Sequence, residues 1–285
     1  MQKPLNKKLL RAETAMRLSR SKGVGAKLFK DLVQEFSGDL YKAFAKYKVQ
    51  VPNMSLSEQS LEKDSLELQI KKALSMIEAG ETLLAVFGDD DYPESLKRLS
   101  EPPPVFFMNK PFPRELNYAA VVGARNADKE GLAAADQATK KLIEKGFVII
   151  SGLAKGIDTQ AHTTALKKNI LTAAILATGI NICYPRENRK LYDEINAKGI
   201  LATEMFPDAQ PLKSFFPTRA RLIASLSDMV CIVQASKHSG SLITAKRANE
   251  LGLPVYTVSP PQKPVSPEKW EGNQYLLDSG LAKEF

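Results

Sequence analysis

Two glycine-containing turns near the middle of the chain each follow a short apolar run, and each carries a cation. The turn 123–125 contains Arg125, and the turn 151–156 contains Lys155 and ends at Gly156. Glycine lets the backbone turn closely with its N–H groups exposed, and a helix that begins after Gly156 adds the positive end of its dipole. These groups together favour an anion, and a phosphate is the anion that such turns commonly bind.

The elements around these turns predict a sheet that places them side by side. The apolar runs 119–122 and 147–150 are typical of strands, and the amphipathic stretch between them is typical of a helix. Four later apolar runs, mostly separated by helical stretches, bring the predicted strands of this series to six, and the run 83–87 is a further predicted strand ahead of them. This pattern predicts an α/β fold with an extended Rossmann-like, doubly wound, mostly parallel sheet. The turns after its strands should meet in one crevice.

Composition limits the classes of protein that need to be considered. The chain has 285 residues, of which 44% are hydrophobic, enough for a substantial core. No apolar stretch is long enough to cross a membrane and the start does not resemble a signal peptide, so we expect a cytoplasmic protein with no membrane partner. The few cysteines and histidines form no zinc pattern, and we interpret the acidic run Asp89-Asp90-Asp91 as a solvated turn.

The net charge of +8 is concentrated at the amino terminus, where residues 1–50 contain 12 Lys and Arg against 4 Asp and Glu. Residues 1–80 are predicted to form a small, basic, all-α domain with a linker helix, and residues 81–285 the Rossmann-like domain. Within the first, residues 18–36 resemble a helix-hairpin-helix whose turn could bind DNA phosphates. An αα-hairpin without a ligand is the alternative. The candidate DNA-binding residues of this turn are Lys22, Gly23, Gly25 and Lys27.

Several ligands and reactions fit the predicted crevice poorly. A dinucleotide is disfavoured because the turn after the first strand lacks the G-x-G-x-x-G fingerprint, and no P-loop sequence is present. Asp158 and His162 lie four residues apart on one helix and could catalyse hydrolysis. A capping role for Asp158 and a packing role for His162 explain them equally well.

The stretch 212–228 indicates a different ligand. It places Lys213, Arg219 and Arg221 close in sequence to Phe215 and Phe216. Mixed cations and aromatic rings suit the phosphates and splayed bases of a single-stranded nucleic acid. Arg219 and Arg221 would point in different directions on a helix, so we expect only one of them to face the crevice.

Six stretches together carry a family resemblance: VVGARNADKEG, ISGLAKGIDTQAH, ILATGINICYPREN, FFPTRARLIASLSD, SGSLITAKRANELG and EGNQYLLDSG. Their order and spacing resemble those of the DprA/Smf family, the DNA-processing proteins of natural transformation. GDDDYPESL and the prolines after it are similar to the family's entry into its Rossmann-like domain, so the resemblance covers about residues 83–282.

The resemblance implies a non-enzymatic protein, usually a homodimer, that coats and protects incoming single-stranded DNA and loads the RecA recombinase. It implies no catalytic residue, no metal and no cofactor. Arg125 and Lys213 match the residues that grip DNA in the family, and Lys155 belongs to the same predicted crevice. The other residues matched to the DNA site are Arg219, Arg221, Gly123, Ser151, Gly152, Gly156, Ser239, Gly240 and Ser241.

The sequence also departs from the family pattern. Ala124 and Ala220 replace polar residues of two motifs, and Pro261 stands where a glycine is usual. The chain ends at Phe285, so we do not expect the winged-helix-like domain that many members carry at the carboxyl end. A phosphoribohydrolase-like nucleotide-processing enzyme on a similar sheet is the alternative function. A role in defence or general recombination rather than transformation stays open.

Overall fold

A mixed sheet of nine strands runs through the computed structural model, which describes residues 4–50 and 60–285. The strands lie in the order β1-β2-β6-β5-β4-β3-β7-β8-β9. Their bounds are β1 Leu83–Val86, β2 Val105–Met108, β3 Asn117–Val122, β4 Phe147–Ser151, β5 Thr172–Ile175, β6 Ile200–Thr203, β7 Met229–Ile232, β8 Val255–Thr257 and β9 Lys283–Glu284. From β6 to β9 every neighbouring pair is parallel, which confirms the predicted Rossmann-like α/β fold.

Helices cover both faces of this sheet and explain why its central strands are so apolar. Five of the six residues of β3 are buried, and all four of β5 and of β7 are buried. The helices are α1 Pro4–Ser19, α2 Ala26–Glu35, α3 Leu40–Gln50, α4 Ser60–Glu78, α5 Lys129–Glu144, α6 Ile157–Lys167, α7 Arg189–Lys198, α8 Phe215–Ser225, α9 Ser241–Glu250 and α10 Glu271–Asp278. None of the helices described is long and apolar enough to cross a lipid bilayer.

The order of strands changes direction at β3. This strand pairs with β4 on one side and with β7 on the other, with Ala119 opposite both Ile149 and Met229. The chain therefore leaves β3 and β7 toward opposite sides of the sheet, and the space between the two departing loops opens as a crevice.

The amino-terminal helices share a hydrophobic core with the sheet. Met16 and Leu18 of α1 and Phe29 of α2 are almost completely buried and belong to the same apolar cluster as Leu84 of β1 and Phe107 of β2. Helix α1 contacts β1 and β2 as well as α3 and α4. The helical segment is thus a layer of the fold that stays attached by apolar packing.

Ion pairs strengthen the same attachment and correct one expectation. Asp89 lies 2.5 Å from the guanidinium of Arg11, and Asp91 lies 2.8 Å from the ammonium of Lys8. The sequence predicted a solvated turn here. The acidic run is only partly solvated, because two of its carboxylates form ion pairs with cations of α1. Part of the amino-terminal basic excess is neutralised by these contacts.

His162 of α6 packs into the core beneath the turn after β4. Its Nδ1 lies 2.7 Å from Thr172 Oγ1, and that hydroxyl donates to the carbonyl of Ile149 at 2.9 Å. Nδ1 must therefore carry the proton, while Nε2 has no hydrogen-bond partner among the described residues. Burial, assisted by the charge of Arg219, lowers the pKa of His162 to about 3.

We predict that Arg11 and Asp89 stabilise the fold jointly. A double-mutant cycle of Arg11→Ala and Asp89→Ala, measured by urea unfolding, should give a coupling free energy of about 1 kcal/mol because both side chains are about three-quarters buried. The exposed pair Lys198–Glu194 serves as the control, with an expected coupling below about 0.5 kcal/mol. Equal coupling in the two pairs would contradict a docking role.

We also predict that His162 makes the fold sensitive to acid. Its folded-state pKa lies below its unfolded value of about 6.5, so the unfolded chain binds the extra proton. The stabilisation that neutral His162 contributes is complete above pH 6.5 and is lost as the pH falls toward 3. Over this range the free energy of unfolding should fall with a slope approaching about 1.4 kcal/mol per pH unit. His162→Asn, whose amide can donate the same hydrogen bond, should remove this slope in urea unfolding measured between pH 4 and 7. An unchanged slope would assign the acid sensitivity to other groups.

Candidate nucleic-acid interface

A cavity of about 550 Å³ occupies the crevice at the carboxyl ends of β3 and β7. Three segments form its walls: the turn after β3, the turn after β7 and the first two turns of α8. The turn after β4 contributes to its floor. Each of these segments follows a strand or begins a helix, so backbone N–H groups converge on the cavity.

Close backbone approach locks the turns together. Gly156 has a φ of 73°, and a Cβ atom there would collide with the backbone carbonyl oxygens of Ala124 and Arg125. The N–H of Ile157 donates to the carbonyl of Ala124 at 3.2 Å. At Gly123 a Cβ would lie 2.8 Å from the carbonyl oxygen of Gln234, which follows β7. Glycine at these positions is therefore required for the shape of the crevice.

The floor is built from Arg219, Gly152 and Asp158. Arg219 Nη1 donates to the carbonyl of Gly152 at 2.6 Å, and Asp158 Oδ2 accepts the N–H groups of Gly152 at 3.1 Å and Ala154 at 3.3 Å. Burial raises the pKa of Asp158, while the charge of Arg219 acts in the opposite direction. Burial likewise lowers the pKa of Arg219, opposed by Asp158. These two groups hold the turn after β4 in place.

Arg125 stands on the wall above this floor. Its guanidinium carbon lies 4.6 Å from the centre of the Phe216 ring, and that of Arg219 lies 5.6 Å from the same ring. Arg125 is exposed and forms no ion pair with any residue that the structure describes. Its charge is therefore oriented by an aromatic face and remains available to a ligand.

The turn after β7 closes the opposite side. Ser239, Gly240 and Ser241 all line the cavity, and Gly240 is the residue that precedes α9. The hydroxyls of Ser239 and Ser241 lie 2.8 Å apart, so one donates to the other. The first N–H groups of α9 are already engaged: that of Ser241 by Ser239 Oγ at 3.4 Å, and the next two by the carbonyls of Ser239 and Gly240. This wall therefore offers hydroxyls and the positive end of the helix dipole to an anion.

Several of the predicted site residues lie outside the cavity lining. The hydroxyl of Ser151 is buried and donates to the carbonyl of Val121 at 2.7 Å. Lys155 is paired with Glu187. Lys213 is exposed in the segment that precedes α8. Gly152 contributes to the floor through its backbone, where a Cβ would meet the Arg219 guanidinium.

Arg221 lies on the other face of α8, away from the crevice. It is paired with Glu204, which follows β6, and both side chains are largely buried. The guanidinium carbon of Arg20, at the end of α1, lies 4.8 Å from the ring centre of Phe206 and acts electrostatically on Glu204. Burial raises the pKa of Glu204, and Arg221 and Arg20 oppose the rise. Arg221 therefore connects α8 to the segment after β6, where the charge of Arg20 also acts on Glu204.

The predicted DNA-binding turn of the amino-terminal helices joins α1 to α2. Lys22, Gly23, Gly25 and Lys27 are exposed there, while Val24 between them is buried. Gly23 has a φ of 84°, which favours glycine, and no side chain caps the start of α2. The structure thus presents these four residues on one turn, separate from the crevice lining.

The cavity also contains residues that the sequence did not single out. Asn126 lies on the turn after β3, Thr244 lies in the first turn of α9, and Lys269 approaches from the segment before α10. The Lys269 ammonium is 3.9 Å from Asp128, the residue that caps α5. No motif marks Lys269, because it reaches the crevice from far along the chain.

The two candidate catalytic side chains have structural partners. Asp158 is 3% exposed and His162 is completely buried. Residues 4–50 and 60–285, as described, contain no group of three or more His, Cys, Asp or Glu side chains arranged to hold a metal ion.

Comparisons with known proteins agree with this geometry. A family model described as DNA recombination-mediator protein A matches residues 83–285. The Smf protein of Synechocystis is 37% identical over 193 residues, which cover 66% of this chain and 47% of that protein. The DprA protein of Streptococcus pneumoniae is 39% identical over 175 residues, which cover 60% of each. The aligned region thus spans about half to three-fifths of these relatives.

Solved structures extend the similarity to the whole fold. The crystal structure of DprA from Streptococcus pneumoniae superposes with a TM-score of 0.74 at 28% identity, covering 95% of this chain and 92% of that one. A structure of DprA from Helicobacter pylori, described in terms of its single-stranded DNA binding mode, gives 0.62 at 27% identity over 72% and 90% of the two chains. With a family model that matches most of its length, the chain belongs to the DprA/Smf family of DNA recombination-mediator proteins.

Proposed function

We propose that this protein binds single-stranded DNA in the crevice between β3 and β7, protects it, and loads RecA onto it during natural transformation or homologous recombination. We further propose that it works in the cytoplasm as a homodimer, without a catalytic residue, metal or cofactor. The observation that carries the proposal is the exposed Arg125, held over the Phe216 ring in a cavity formed by turns that follow strands and by the starts of two helices.

The chemistry of the crevice supports a phosphate ligand. Arg125 brings an unneutralised guanidinium, and the turn 239–241 brings two hydroxyls beside the positive end of the α9 dipole on the facing wall. Phosphate oxygens accept hydrogen bonds from both kinds of donor. Phe216 beside Arg125 adds a ring surface that suits the bases of an open strand.

The burial of Asp158 and His162 favours binding over hydrolysis. Asp158 is engaged by the N–H groups of the turn after β4, and His162 lies in the core. Asp158 borders the cavity, but two N–H groups occupy its Oδ2, and His162 does not belong to the cavity lining. Release of a free base from nucleoside monophosphates by the purified protein would support the phosphoribohydrolase alternative instead.

Family membership supports the biological part of the proposal. The Helicobacter pylori relative is described as binding single-stranded DNA, and the matching family model is described as a recombination mediator. RecA filament formation on an oligonucleotide, with and without this protein, tests the loading step. A gene knockout assayed for both DNA uptake and phage sensitivity separates transformation from defence.

We predict that Arg125→Glu combined with Lys213→Glu abolishes single-strand binding without unfolding the protein. Both side chains are exposed, so the fold should tolerate the change while the phosphate contacts become repulsive. Fluorescence anisotropy with a labelled oligothymidine and a matching duplex measures the effect. Lys145→Glu with Lys168→Glu makes the same charge change at the opposite edge of the sheet and is the control. Equal affinity of the wild type and the crevice variant would refute the site.

We predict a smaller effect from the turn between α1 and α2. Because these helices share the core of the sheet, substitutions test this turn better than deletion. Lys22→Ala with Lys27→Ala should reduce the log–log dependence of affinity on salt by about 0.7 for each phosphate that the variant no longer binds. Lys71→Ala, an exposed lysine of α4, is the control. An unchanged slope would mean that this turn does not contact DNA.

A further inference from the structure

Tyr184 is a large aromatic residue that remains 40% exposed beside the crevice. It lies in the segment between β5 and α7, and it is not part of the cavity lining. Its ring centre is 5.6 Å from that of Phe216, with the two planes inclined at 56°. The contact covers one part of the tyrosine ring and leaves the rest open to solvent.

Tyr184 extends a row of groups that begins inside the cavity. Arg219 and Arg125 both lie against the Phe216 ring, and Tyr184 packs against the same ring from outside the cavity lining. We call Tyr184 and Phe216 the aromatic rim. A strand that places a phosphate on Arg125 would bring a neighbouring base to this rim.

The chemistry of the rim fits one kind of group. A half-exposed phenol ring offers a π-face, and an unstacked nucleobase is a flat π-system that gains by covering it. Bases inside a duplex are already stacked on one another and cannot do so without opening the helix. An exposed ring at this position would therefore favour open strands over duplexes.

We propose that Tyr184 forms a binding site for one unstacked nucleobase next to the phosphate site at Arg125, and that it contributes to the preference for single strands. This inference rests on the proposed binding of single-stranded DNA. It assigns the tyrosine to the base, whereas Arg125 serves the phosphate. The two contributions therefore respond differently to salt and to removal of the bases.

The test compares Tyr184→Leu, Tyr184→Phe and the wild-type chain by fluorescence anisotropy. The ligands are an oligothymidine and an abasic deoxyribose-phosphate strand of equal length. Tyr184→Leu should weaken binding of oligothymidine about tenfold, leave the abasic strand unaffected, and keep the salt slope because every phosphate contact is retained. Tyr184→Phe keeps the ring and should bind like the wild type. Tyr41→Leu, at an exposed tyrosine of α3, is the matched control.

A second variant reports on stacking directly. Trp270 is the only tryptophan of the chain and is 2% exposed, so Tyr184→Trp adds a single solvent-accessible indole. The fluorescence of the tryptophan introduced at position 184 should be quenched when oligothymidine is added and should change little with the abasic strand. Equal quenching by both strands would overturn the proposed base contact.

Three results of the affinity measurement would also overturn the inference. If the wild type binds oligothymidine and Tyr184→Leu binds it equally well, Tyr184 is not part of the site. The proposed function would then stand without this inference. An equal loss on both strands would show that Tyr184 acts only by supporting Phe216 and Arg125. A wild type that binds neither strand would refute the proposed function together with this inference.

Discussion

The contact between the Arg219 guanidinium and the backbone of Gly152 fixes the geometry on which the crevice depends. The guanidinium occupies the space that a Cβ atom at Gly152 would need, and it donates to the carbonyl of the same residue. Asp158 holds the other side of that turn through two N–H groups. A half-buried cation, a buried carboxylate and a residue without a side chain therefore form one unit at this turn. The turn after β4 has its shape because of this unit.

Helix α8 carries Arg219 of this unit and, on another face, Arg221. Arg219 and Phe216 face the crevice, whereas Arg221 faces Glu204 and, beyond it, Arg20. One face of α8 thus forms a wall of the crevice, and another pairs with a carboxylate on which Arg20 also acts. Apolar packing of α1 on β1 and β2, together with the ion pairs to Asp89 and Asp91, keeps this layer on the sheet.

The alternation of apolar runs and glycine turns was enough to predict the parallel sheet, because strands buried on both faces leave a clear pattern. The antiparallel strand β2 and the two-residue β9 were not predicted, since they are short and carry no period of their own. At the site, residue types identified Arg125 and Arg219 as candidates. Residue types alone could not distinguish Arg219, which faces the crevice, from Arg221, which faces Glu204. Contacts such as Lys269 with Asp128 depend on the folded chain and have no local signal.

The way in which Arg125 is held has a consequence for kinetics. Lys155 and Arg221 are fixed by carboxylates, and each such pair has little net charge when seen from a distance. Arg125 is fixed by the face of a phenylalanine, which orients the guanidinium and leaves its full charge in the field around the protein. A polyanion can sense that field before contact, so this arrangement favours rapid capture at low ionic strength. Under the proposed function, a ring in place of a carboxylate as the partner of Arg125 would therefore favour a faster encounter with DNA.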